Sequence, residues 1–156
     1  MAVLNSLEVE VRRPVGLEAN HPYLQLLGIE PRSTVQLIMA LQEGLTTQEF
    51  TQFSRNIGLS SNALASFIKA SNRTLHRRKS AAGRLDTSSS EALVRLARVF
   101  GASIELFEGD ASKARHWMKT PRAALSGMTP LEMSSTEVGA REVEALIDRL
   151  EEGVFS

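Results

Sequence analysis

Four basic side chains, Arg73, Arg77, Arg78 and Lys79, crowd the segment Ser71-Asn72-Arg73-Thr74-Leu75-His76-Arg77-Arg78-Lys79. Residues of these types at this spacing can hold a phosphate backbone and reach the edges of bases. Ser71 can cap the first turn of a helix, because its hydroxyl accepts a backbone N–H that has no helical partner. Leu75 is the one large apolar side chain here and can anchor the helix to a core. From residue 50 to residue 85 there are seven Lys/Arg and no Asp or Glu, although the whole chain is balanced at 18 basic and 18 acidic. Charge is therefore segregated, and a basic patch is the electrostatic footprint of phosphate binding. Arg can take guanine O6 and N7 together, and Asn can do the same for adenine N6 and N7. Asn72, Arg73, Thr74 and Arg77 are the candidates for base contact. Lys69, Arg78 and Lys79 suit phosphates, and Ser71 at the helix start completes the DNA-facing set. The competing reading of such a cluster is a merely solvated helix face.

The elements that must position these residues read as helices. Residues 60–69 carry Leu64, Phe67 and Ile68 on one face and stop about three residues before the basic helix. Two short helices so joined, the second one basic, form the helix-turn-helix pattern. Ser33 or Thr34 can start an earlier helix that Gly44 ends. Thr46 with Glu49 offers a capping box for the next, closed by Gly58. The run Ser88-Ser89-Ser90-Glu91 opens the longest segment, with Leu93, Leu96, Val99 and Phe100 on one face and a bend expected at Gly101. Asp110 caps a short helix holding Ala114, Trp117 and Met118. Thr129-Pro130 starts another, and residues 138–152 carry Val143, Leu146, Ile147 and Leu150 on one stripe. Strand signal is nearly absent, so the expected fold is all-α.

Composition limits the alternatives. The absence of Cys excludes a disulfide scaffold and thiolate metal sites, and fits a reducing compartment. The first 20 residues lack the pattern of a secretory signal, and no run approaches the roughly 18 apolar residues of a membrane helix. A soluble, cytoplasmic protein is expected, with no membrane contact. One Trp and one Tyr argue against a platform for stacking single-stranded bases. His21, His76 and His116 fall in three segments without a carboxylate or Ser at helical spacing, and no phosphate loop or metal-ligand spacing occurs. The reading is a non-enzyme with no cofactor and no metal, and with His116 and Trp117 as a partly buried packing pair.

Three parts follow. Residues 1–31, broken by Pro14, Gly16, Pro22, Gly28 and Pro31, read as a loosely packed arm with a short strand allowed near 8–12. Residues 32–108 are the helix-turn-helix part. The character changes near Gly109: residues 105–156 hold ten acidic and six basic side chains. Residues 109–156 form a second helical part built on Trp117, Leu125, Leu131 and the stripe through Val143 and Leu146. Two cores of about 70 residues would each be marginal, so this part is either a small core or a surface that docks on a partner. The tail Val154-Phe155 favours docking.

From Gly58 onward the chain resembles a family. Gly58-Leu59-Ser60, Leu64-Ala65, Ser71, Arg73-Thr74-Leu75 and Arg77-Arg78-Lys79 resemble the helix-turn-helix of the Xre/MbcA/ParS antitoxins. Ala114-Arg115, Trp117, Pro121, Ala124-Leu125, Gly127, Thr129-Pro130-Leu131, Thr136, Gly139, Val143, Leu146, Arg149 and Gly153-Val154-Phe155 resemble that family's toxin-binding domain, and this second motif is the more specific. The chain departs from the pattern at Met118, where Leu is frequent, and at Ser126, where Gly is common.

The resemblance implies a type II antitoxin whose partner is a RES-domain toxin that depletes NAD⁺. It implies neutralisation by direct binding, with the C-terminal segment blocking the toxin's active site. It also implies binding of double-stranded operator DNA, autorepression, and a homodimer or higher assembly. By position, Trp117, Leu125, Gly127, Pro130 and Leu131 would build the domain. Arg149, Glu151, Glu152, Gly153, Val154 and Phe155 would lie nearest the toxin cleft. A cleft that accepts an anionic dinucleotide is basic, so an acidic approach to it is electrostatically favourable. The alternative reading is a helix-turn-helix transcription regulator whose C-terminal half dimerises or senses a ligand.

Overall fold

Polar side chains start the described α-helices, and each does so by accepting the backbone N–H of the third helical residue. The computed structural model describes residues 22–68 and 83–153. Within them a 3-10 helix, Pro22–Leu27, is followed by α1 (Thr34–Glu43), α2 (Thr47–Ile57), α3 (Ser61–Phe67), α4 (Thr87–Leu106), α5 (Ala111–Met118), a short 3-10 turn (Ala123–Leu125), α6 (Pro130–Met133) and α7 (Glu137–Glu151). Ser33, Thr46, Ser60, Asp86, Asp110, Thr129 and Thr136 are the caps. At Thr46 and Thr129 the box is reciprocal: Glu49 and Glu132 accept the N–H of the capping residue in return. The only β-type pairing among the described residues is an isolated bridge between Thr46 and Arg84, so the fold is all-α.

The 20-residue helix α4 is the axis of the core. It packs against the 3-10 helix, α5 and α7. Leu93, Leu96, Ala97, Val99 and Phe100 of α4 are buried with Phe53 and Ile57 of α2, Leu64 of α3, Met118 of α5, and Val143 and Ile147 of α7. These side chains form one continuous cluster rather than two marginal ones.

Four local expectations are corrected. Residues 22–27 belong to the core and not to a loose arm: Leu24 and Leu27, three residues apart, both point inward and are buried. Asp86, not the serine run, caps α4, its carboxylate accepting Ser89 N–H at 2.7 Å. Gly101 lies inside a continuous α4, and a Cβ there would come within 2.6 Å of the Tyr23 Cβ. Glycine at 101 thus permits close approach of the 3-10 helix. His116 is exposed while its neighbour Trp117 is buried, so the two do not form a buried pair. The strand suggested near 8–12 lies outside the described residues.

Candidate nucleic-acid and partner interfaces

The helix-turn-helix scaffold is built by local bonds. Gly58 closes α2 in the left-handed region, at φ 67°. The Ser54 hydroxyl, buried beneath, donates to Leu59 O and holds the turn into α3. A Cβ on Gly58 would come within 2.5 Å of the Arg115 side chain, so this turn sits tightly on α5. Leu64 and Ala65 bury α3, and Ile68 is buried just past its end. Lys69, Ser71, Asn72, Arg73, Thr74, Arg77, Arg78 and Lys79 lie outside the described residues. The chain that follows them is pinned. Thr47 N–H donates to Gly83 O and Leu85 N–H to Leu45 O, each at 2.7 Å, and the Arg84 guanidinium donates to Gly44 O at 3.0 Å.

Two arginines of α4 grip the C-terminal part. Arg98 donates from Nε to Glu144 at 2.6 Å and from Nη2 to Glu137 at 2.8 Å. Burial pulls the Arg98 pKa down, but the hydrogen bonds and charges of Glu144 and Glu137 outweigh it and raise the pKa above its usual value. Arg95 donates to the carbonyls of Ser134 and Ser135, at 3.2 and 3.0 Å. Neither arginine stands out in the sequence. The available signal is Arg95 and Arg98 three apart on α4, with Glu137 and Glu144, the partners of Arg98, two turns apart on α7.

In the C-terminal part Trp117 is buried and meets Phe107 edge-on, with ring centroids 6.4 Å apart. Leu125, Pro130, Val143 and Leu146 are buried and Leu131 half-buried. Gly127 is exposed and has positive φ, 83°, so it serves the turn and packs on nothing. Ser126 before it also holds a left-handed backbone, at φ 57°, which accounts physically for a glycine preference at that position. Arg149 is half-buried, and its Nε is buried without a hydrogen-bond partner. Glu151, Glu152 and Gly153 are exposed at the end of α7. Val154 and Phe155 lie outside the described residues. Among the described residues no His/Asp/Glu cluster could hold a metal, and no helix is long and apolar enough to cross a membrane.

The helical scaffold around Gly58 is joined through α4 to a small C-terminal helical part, and each part has counterparts among known proteins. Residues 36–98 match the Antitoxin Xre-like helix-turn-helix domain, and residues 102–153 match the Antitoxin Xre/MbcA/ParS C-terminal toxin-binding domain. A relative named Antitoxin Xre from Photorhabdus laumondii is 31% identical over 88% of this chain and 93% of its own length. Proteins of the same name from Yersinia enterocolitica and Pseudomonas putida are 46% and 33% identical over 54% and 52% of this chain. These two matches span 57% and 50% of the relatives' own lengths. The chain belongs to the Antitoxin Xre family, a family of toxin binders and regulators rather than enzymes.

Proposed function

We propose that this chain neutralises a RES-domain, NAD⁺-depleting toxin by direct binding, with residues 149–155 blocking the toxin's active site, and that it binds double-stranded operator DNA to repress its own operon in the cytoplasm. The observation that carries the reading is the toxin-binding domain over residues 102–153, which ends at an exposed acidic turn, Glu151-Glu152-Gly153. The toxin-binding part is taken as residues 109–156, with Trp117, Leu125, Gly127, Pro130, Leu131, Val143 and Leu146 as its framework. The DNA-binding part is taken as residues 32–108. The acid-free window from residue 50 to 85 supports phosphate contact by Lys69, Arg78 and Lys79, and base contact by Asn72, Arg73, Thr74 and Arg77. A homodimer or higher assembly accompanies DNA binding. It is supported by α1, whose Val35, Ile38 and Met39 leave an uncharged apolar face exposed.

The test is co-expression with the product of the neighbouring gene. The expected result is a stable complex, with growth arrest only when this chain is withheld and with rescue lost on deleting residues 151–156. Rescue that survives the deletion would instead favour a regulator whose C-terminal half dimerises or senses a ligand. Changing both Arg77 and Arg78 to Ala should weaken operator binding and flatten its salt dependence.

A further inference from the structure

The C-terminal part is acidic in sum, yet one pocket on it is basic. About 630 Å³ in volume, it is lined by Phe107, Ser112, Lys113, His116, Trp117, Thr120 and Arg122. No carboxylate lines it; of the two nearest along the chain, Glu108 is exposed beside Phe107 and Asp110 caps α5 through the Lys113 N–H. The Arg122 guanidinium lies over the Trp117 ring, 5.3 Å from its centroid, and its Nε is buried without a hydrogen-bond partner. Burial lowers its pKa, as expected of a cation that has lost water and gained no acid among the described residues. Its backbone is fixed by the turn that follows: Arg122 N–H donates to Met128 O, and Arg122 O accepts from Leu125 and Gly127. A stacked, held guanidinium is a pre-formed fork for a carboxylate.

We propose that this pocket receives an acidic side chain of the toxin, as a second anchor apart from the C-terminal tail. The inference rests on the toxin-binding reading above. A free small carboxylate is the weaker candidate, because a half-exposed ion pair alone gives roughly a five-fold preference at most. The same pair becomes strong when a wider protein interface covers it and removes its water. The pocket lies within residues 102–153, matched to a toxin-binding domain, and the Trp and Arg that form it are the residue types that dominate interface energies. A basic pocket and an acidic C-terminal turn within one domain would also fix the orientation of the partner, since the reverse docking sets like charges together.

Trp117 is the only tryptophan of the chain, so 5-fluorotryptophan gives one ¹⁹F resonance at the pocket. The full chain, so labelled, is titrated with the protein encoded by the neighbouring gene, and the dissociation constant is measured for wild type, Arg122→Gln and Lys113→Glu. Lys113 is exposed, so its variant keeps the test independent of any folding defect at position 122. The expected result is a shifted ¹⁹F resonance on binding and a dissociation constant raised on the order of ten-fold in each variant. Wild-type affinity in both variants, with an unmoved resonance, overturns the pocket and leaves the toxin-binding reading standing. Failure of the wild-type chain to bind overturns both.

Discussion

Helices α1 and α7 both present apolar faces and meet opposite fates. In α7, Val143, Leu146 and Ile147 are buried against the core, at 0%, 6% and 1% exposure. In α1 no residue is fully buried, and Val35, Ile38 and Met39 stand at 57%, 47% and 54%. Leu37, on the other side of α1, packs against the core, so α1 is apolar on both faces. A helix that is apolar all round belongs inside a larger body. The comparison teaches that periodicity defines a face but does not name what covers it. For α7 the cover is α4, secured by Arg95 and Arg98; for α1 the outer face is exposed.

Three variants would break or sharpen that contrast. The largest effect is expected from Ile147→Ala, which deletes buried methyl groups where α7 packs inward; a loss of about 2–5 kcal/mol in urea unfolding is expected. Arg98→Ala comes next. It removes the cation held by both Glu137 and Glu144, but the site is partly exposed and water screens it. A cost of about 1–2 kcal/mol, smaller in high salt, is expected by thermal unfolding at two ionic strengths. The smallest effect on folding belongs to α1. Replacing Val35, Ile38 and Met39 with Thr, Gln and Gln should change unfolding free energy by less than about 0.5 kcal/mol each, while lowering the mass seen by analytical ultracentrifugation. A loss of several kcal/mol with unchanged mass would mean that α1 is covered from within the chain.

Much of the framework is legible because it is local. The capping boxes at Thr46–Glu49 and Thr129–Glu132, the caps at Ser60 and Asp110, and the closing Gly58 all act within four residues, and the residue types announce them. The 3-10 helix Pro22–Leu27 escapes sequence reading because Pro22 and Gly28 resemble breakers. Its two inward leucines are too few to show a period. Asp86 is masked by the serines after it, and Gly101 reads as a bend because its reason, the approach of Tyr23, lies far away in the chain. The candidate interfaces divide in the same way. The basic cluster and the acidic end are compositional and visible at once. The Arg122–Trp117 pocket depends on a turn that carries Arg122 back over α5, and no spacing rule announces that.

Helix type, helix starts and the segregation of charge are facts of neighbouring residues, and the sequence motifs at 58–79 and 114–155 are enough to suggest an antitoxin. The merging of both parts into one core along α4, the Arg95 and Arg98 grip on the C-terminal part, the burial of α7 against the exposure of α1, and the assembly of a basic pocket on an acidic part are facts of the fold. They depend on residues tens of positions apart meeting in space. That meeting is governed by shape and by the apolar area it buries, summed over the whole chain, and no window of a few residues contains either.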